Sequence, residues 1–205
     1  MSQNPYPSNG AINSTGVRVP LRAGDLTGSL RVNQHVGDKY AYALGKVLYS
    51  ASNAAAADLS AGLATTYTGL CLSNLSSSIV NLSIRRVSAQ FIVAPAAFLA
   101  VGLITGGSQI SVHTTPVTPL ASYVGDNTAS KARVDAACTL TGTPTWARWL
   151  SSSSATGIGP SAFVDLEGGL LLPPGSYCAI GANVAGPAAG FLGTFEWIEI
   201  PVATP

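Results

Sequence analysis

The chain has 205 residues, 47% of them hydrophobic and only 9% charged, against the roughly 25% charged residues usual in soluble domains. Ten Lys and Arg against nine Asp and Glu leave a net charge of +1, which gives no long-range attraction for a polyanion and argues against nucleic acid as a partner. The length suits one domain whose core needs no disulfide support, and a surface so poor in charge fits equally a subunit that associates and a secreted, Ser/Thr-surfaced β domain that stays monomeric.

Residues 1–24, rich in Asn, Ser, Gly and Pro and without a hydrophobic period, are expected to form an extended arm ahead of a single β-sandwich domain over 25–205. Met1 to Gly10 hold no basic region followed by an apolar stretch, so no signal peptide is read and synthesis in a cytoplasm is expected. The sequons at Asn13, Asn74 and Asn81 are then chance matches. Tyr40, Tyr42, Leu44 and Leu48 fall at even spacing and predict a strand. The Ala-rich stretch Ala54 to Leu63, behind Asn53, predicts a short helix.

Val87, Ala89, Phe91 and Val93 alternate with Ser88 and Gln90, the period of two that a half-buried strand requires. No charged residue occurs from Val87 to Gly125, yet the apolar run Phe91 to Ile104 is only 14 residues long and is broken by Pro95 and Gly102. A spanning helix needs about 20, so core strands joined by a turn are expected, with no membrane partner. Ser130 to Ala137 predicts a second short helix.

Leu170 to Leu172 run into Pro173-Pro174-Gly175-Ser176, where Pro174 presets the first turn angle and Gly175 supplies the positive φ of a type II turn. The closing segment Phe195 to Val202 places Phe195, Trp197 and Glu199 on one face and Glu196, Ile198 and Ile200 on the other, as in a strand held between layers. Many short strands and little helix predict an all-β, jelly-roll-like β-sandwich with an extended N-terminal arm.

Chemistry is sparse along this chain. Cys71, Cys138 and Cys178 are odd in number, widely spaced and without a Cys-x-x-Cys pair, which argues against disulfides and zinc and for small buried hydrophobes. His35 and His113 are the only histidines, too few for a metal site and without an evident triad. Asp165 and Glu167, two apart, have the spacing of a calcium or acid/base pair, but beside Gly168-Gly169 the simpler reading is solvation or pairing with arginine. Gly157 to Ala162 fits a Gly-x-Gly-x-x-Ala pattern, yet it follows a serine run instead of a strand, and Pro160 removes a backbone donor. No catalytic residue, cofactor or metal is assigned, and an enzyme is not expected.

Tyr40, Tyr42, Tyr49, Trp146 and Trp149 offer aromatic faces for a sugar or for packing. The candidate interface residues are Trp146, Arg148 and Trp149, because Trp and Arg anchor interfaces, together with Glu196, Trp197 and Glu199 of the closing segment.

Several segments resemble small virion structural proteins of tailed bacteriophages: Gly28-Ser-Leu-Arg-Val32, Tyr49-Ser-Ala-Ser-Asn53, Thr65-Thr-Tyr-Thr-Gly69-Leu70 and Gly102-Leu-Ile-Thr-Gly106. Asp165-Leu-Glu-Gly168 adds to these, and the most specific ones are Leu172-Pro-Pro-Gly-Ser-Tyr177 with Ala179-Ile-Gly181, and Glu196-Trp197-Ile-Glu199-Ile-Pro-Val202. The resemblance covers about Gly24 to Val202 and implies a β-sandwich in a virion, a capsid decoration or cement protein. It would be commonly a homotrimer on the major capsid protein or other virion proteins, with no catalytic residues. The alternative is a tail, baseplate or short spike protein contacting a host glycan or another tail protein. A glycan-binding or glycan-cleaving enzyme using Asp165 and Glu167 is the third reading.

Overall fold

The computed structural model describes residues 38–205 apart from 56, 61–62, 96, 109, 111, 154–160 and 203–205, together with two short strands, β1 (Ala11–Ile12) and β2 (Arg18–Val19). β1 and β2 pair antiparallel, with Ala11 opposite Val19. The rest of the expected arm, and His35, lie outside the described residues. The chain divides into two units, Met1–Asp38 and Lys39–Pro205, and the sandwich belongs to the second.

Helix α1 (Asp38–Leu44) precedes β3 (Leu48–Ser52), β4 (Ala57–Leu59), β5 (Thr66–Asn74), β6 (Val80–Phe91) and β7 (Leu99–Gly106). There follow β8 (Val112–Val117), β9 (Leu120–Ala121), β10 (Ala132–Thr139), β11 (Thr145–Ser153), β12 (Ala162–Leu172), β13 (Tyr177–Ala182) and β14 (Gly186–Pro201). One antiparallel sheet has the order β12-β6-β14-β3-β9, with β4 also paired to β14; the other runs β11-β7-β13-β5-β10-β8. The two sheets pack as an all-β sandwich.

Alternation decides which side chains meet between the sheets. Leu70, Leu72, Leu103 and Ile180 of the six-stranded sheet pack in one buried cluster with Leu82, Ile84, Phe195 and Trp197 of the five-stranded sheet. Along β6 the inward set is Leu82 and Ile84, then Val87, Ala89 and Phe91. The phase slips at a bulge, where Glu196 pairs with Arg86 and Trp197 with Ile84, and both Arg85 and Arg86 escape the core. Val93, expected in the same strand, lies beyond it and is half-exposed.

The Pro173–Ser176 turn forms, and Gly175 takes a φ of 81°. It joins strands of opposite sheets, because β12 pairs with β6 while β13 pairs with β5 and β7. Three sequence expectations are overturned. Tyr40, Tyr42 and Leu44 lie in α1, which closes with Gly45 N–H on Ala41 O at 2.9 Å; only Leu48 is in a strand. Seven residues are too few for alternation to distinguish the two periods, and Ala41 and Ala43 favour the helix.

Neither Ala-rich stretch is helical among the described residues: Ala57–Leu59 pairs with β14, and Ala132–Thr139 pairs with β5 and β8. Burial outweighs alanine's helix propensity, since Leu59, Val134 and Cys138 are all enclosed. Asn53, read as a helix cap, instead ties β3 to β14. Its Nδ2 donates to Phe191 O at 2.9 Å, and its Oδ1 accepts Gly193 N–H at 2.6 Å.

Candidate contact surface

β11 is an edge strand, and two irregularities control where its indoles point. Trp146 pairs with Ile104 and Arg148 with Leu103, so Ala147 is an extra residue; Trp149 pairs with Gly102 and Ser151 with Val101, so Leu150 is another. In a regular strand residues three apart face opposite ways, but the first bulge brings Trp146 and Trp149 onto one face. There the rings stack with centroids 4.2 Å apart and planes at 26°.

Gly102 makes that stack possible. A Cβ at this position would lie 2.9 Å from each indole and 2.7 Å from the Arg148 carbonyl. Trp146 packs on a buried cluster that includes Ile104, Tyr177 and Ala179, outside the inter-sheet core. Trp149 is 50% exposed. The second bulge turns Leu150 back against the main core.

The other predicted interface residues disperse. Arg148 lines a crevice of about 120 Å³ with Leu103, Leu166 and Leu170, between β11 and β12. Trp197 is fully buried and stacks on Tyr49 with ring centroids 6.2 Å apart, so it belongs to the core and offers no surface. Glu199 is buried too. Its Oε1 accepts the Ser130 hydroxyl at 2.5 Å and the Lys131 N–H at 2.7 Å, holding the entry to β10 against β14. Glu196 pairs with Lys39 of α1.

Glu196 also stands in a row of charge across the outer face of the five-stranded sheet, where Asp165, Arg86 and Glu196 are register partners on β12, β6 and β14. Arg86 Nη2 donates to Asp165 Oδ2 at 3.0 Å and lies over the Phe163 ring at 4.3 Å. Asp165 Oδ1 accepts the Glu167 N–H at 3.1 Å. That N–H, followed by the Arg86 guanidinium, holds the Asp165 carboxyl below the usual carboxylate range. Glu167 adopts a φ of 49° in a bulge between Asp165 and Leu170. An anion held by these two donors keeps its charge at neutral pH.

Sequence reasoning missed the partner of His113. Its Nδ1 lies 2.6 Å from Oδ2 of Asp135, whose side chain is fully buried. Strand register sets Cys138 opposite His113 and Cys71 opposite Asp135, so the cluster was hidden in the β8–β10–β5 pairing. Burial pushes the Cys71 thiol well up, keeping it protonated and poorly nucleophilic. All three cysteines are free and buried. Among the described residues no group of three or more His, Cys, Asp or Glu is placed to hold a metal ion, and no helix is long and apolar enough to cross a membrane.

A cavity of about 770 Å³ opens between β8 and the end of β3 beside β9, lined by Asn53, Ala55, Pro116, Val117, Leu120 and Ala137 among others. At one end of the sandwich lies a patch of aliphatic side chains. Val202 N–H donates to Ile79 O at 2.9 Å, and Ile200 pairs with Asn81 two residues further along β6. Ile79, Ile200 and Val202 therefore share the outer face, exposed by 72%, 43% and 41%.

No family model, no curated protein and no solved structure matches the chain.

Proposed function

We propose that the protein is a structural subunit of a tailed-bacteriophage virion: a decoration or cement protein that stabilises the head as a homotrimer through contacts with the shell. The observation that carries this reading is the order of eight strands. β12-β6-β14-β3 faces β11-β7-β13-β5, and successive strands β5, β6, β7 and β11, β12, β13, β14 distribute between the two sheets as in a jelly roll, with β8, β9 and β10 as an insertion. Jelly rolls serve repeatedly as viral shell domains, and the analogy of fold supports the same use here.

The edges favour association through side chains over strand addition. β11 is kinked by two bulges, β12 by the Glu167 bulge, β8 contains Pro116, and β9 has only two residues. The apolar patch of Ile79, Ile200 and Val202 then supplies the contact between copies, and many weak contacts repeated by symmetry give the shell affinity. Immunogold labelling of purified particles tests the placement. Label spread over the head is expected; label confined to the tail, or absent, ends the proposal.

A further inference from the structure

We infer that the open face of Trp149 is a binding subsite for a neutral pyranose. The surface is built for display. A bulge residue, Ala147, is inserted to aim Trp149 onto the same face as Trp146, a glycine at 102 leaves room for both rings, and Trp146 anchors the stack to a buried cluster. One face of the Trp149 indole is covered by Trp146, and the residue is still 50% exposed. Holding a large aromatic half in water on a rigid base offers a flat ligand a preorganised platform.

The neighbouring positions select the class of ligand. Register places Ala100, Gly102, Gly181 and Ser152 on the same face as Trp149: Gly181 lies opposite Gly102, and Ser152 opposite Ala100. None of them is charged, and three are too small to obstruct a ring lying against the indole. The nearest cation in sequence, Arg148, is turned away into the crevice with Leu166 and Leu170. A nucleobase would stack equally well, but among the described residues no cation stands beside the indole on this face to hold its phosphate. A pyranose presents a face of polarised C–H groups to the electron-rich indole, and the exposed Ser152 hydroxyl stands on the same face to meet its hydroxyls.

The test is saturation-transfer NMR on the full chain with cellotriose, N,N′-diacetylchitobiose and lactose, each at about 10 mM, a range suited to a single stacking contact. At least one sugar is expected to receive saturation at its ring C–H protons. Trp149→Ala should weaken that binding about tenfold, and Trp149→Phe about threefold, while loss of the stack on Trp146 lowers the melting temperature by no more than about 5 °C. No transfer to any of the three sugars overturns the inference, as does undiminished binding by Trp149→Ala. Acrylamide quenching of the indole in assembled particles gives an independent arm: a Trp149 shielded there is a protein contact, and the subsite is refuted. Sugar binding by the isolated chain is read without particles, so its failure leaves the virion placement standing, and the reverse.

Discussion

Asn74 Nδ2 donates to the carbonyl of Leu172 at 3.0 Å across 98 residues of sequence, and to Val80 O at 2.8 Å. Its backbone N–H donates to Ser176 O at 2.9 Å, and its carbonyl accepts Gly175 N–H at 3.0 Å. One fully buried amide thus ties together two of the turns at which the chain changes sheets, after β5 and after β12. Asn74→Ala leaves two buried carbonyls without donors and should cost about 2–4 kcal/mol in urea unfolding. Asn74→Asp should cost more, because a carboxylate would face two carbonyl oxygens. Asn81→Ala, on the outer face, should stay within about 0.5 kcal/mol. Equal effects at the two asparagines would remove Asn74 from this role.

Much of this architecture was legible where period and turn chemistry act locally. Val87, Ala89 and Phe91 point inward as their alternation requires, and Gly175 adopts the positive φ that the Pro-Pro-Gly turn demands. What was hidden depends on register. Two-residue alternation put Trp197 and Glu199 on one face correctly, but it gave no sign that this face is the interior, where Trp197 packs and Glu199 clamps the Ser130–Lys131 backbone. The Trp146–Trp149 stack escaped for the opposite reason. Their odd spacing predicts opposite faces, and only the extra residue Ala147 reconciles them. Alanine misled twice, at 54–63 and 130–137, because propensity is weak beside strand pairing in a core.

Two adjacent glycines should respond very differently to the same methyl group. A Cβ at Gly106 would lie 2.4 Å from the Tyr177 ring, inside contact distance of a fully buried side chain, whereas one at Gly107 would meet nothing within 4 Å. Gly106→Ala is expected to destabilise by about 1–3 kcal/mol through overpacking, and Gly107→Ala to change stability by less than about 0.5 kcal/mol. Thermal melts of the pair decide it, and similar midpoints would contradict the close approach of Tyr177 to β7.

The Arg86–Asp165 pair makes a prediction about acid. The native carboxyl titrates below the unfolded value of about 3.9, so its contribution is fully present above that pH and is lost as pH falls through the native value. Asp165→Asn removes the titration while leaving an oxygen for the Glu167 N–H. Below about pH 4 the variant's stability should fall less steeply than that of the parent, with the difference shrinking at high salt because the pair is exposed. Parallel stability curves from pH 7 to pH 2 would show that the pair contributes nothing.

The aliphatic patch separates folding from assembly. Ile79 lies largely in solvent and Ile200 is 43% exposed, so Ile79→Ser combined with Ile200→Thr removes only part of one side chain's packing and should lower the unfolding free energy by no more than about 1 kcal/mol. If the patch joins copies, the same double variant should sediment as a monomer where the parent sediments as a trimer. Bulged and proline-bearing edges give no second route through strand addition, so the loss should be complete instead of partial. An Arg86→Ala control, altered on the same sheet face but away from the patch, should still sediment as a trimer. A double variant that sediments with the parent would place the contact between copies elsewhere.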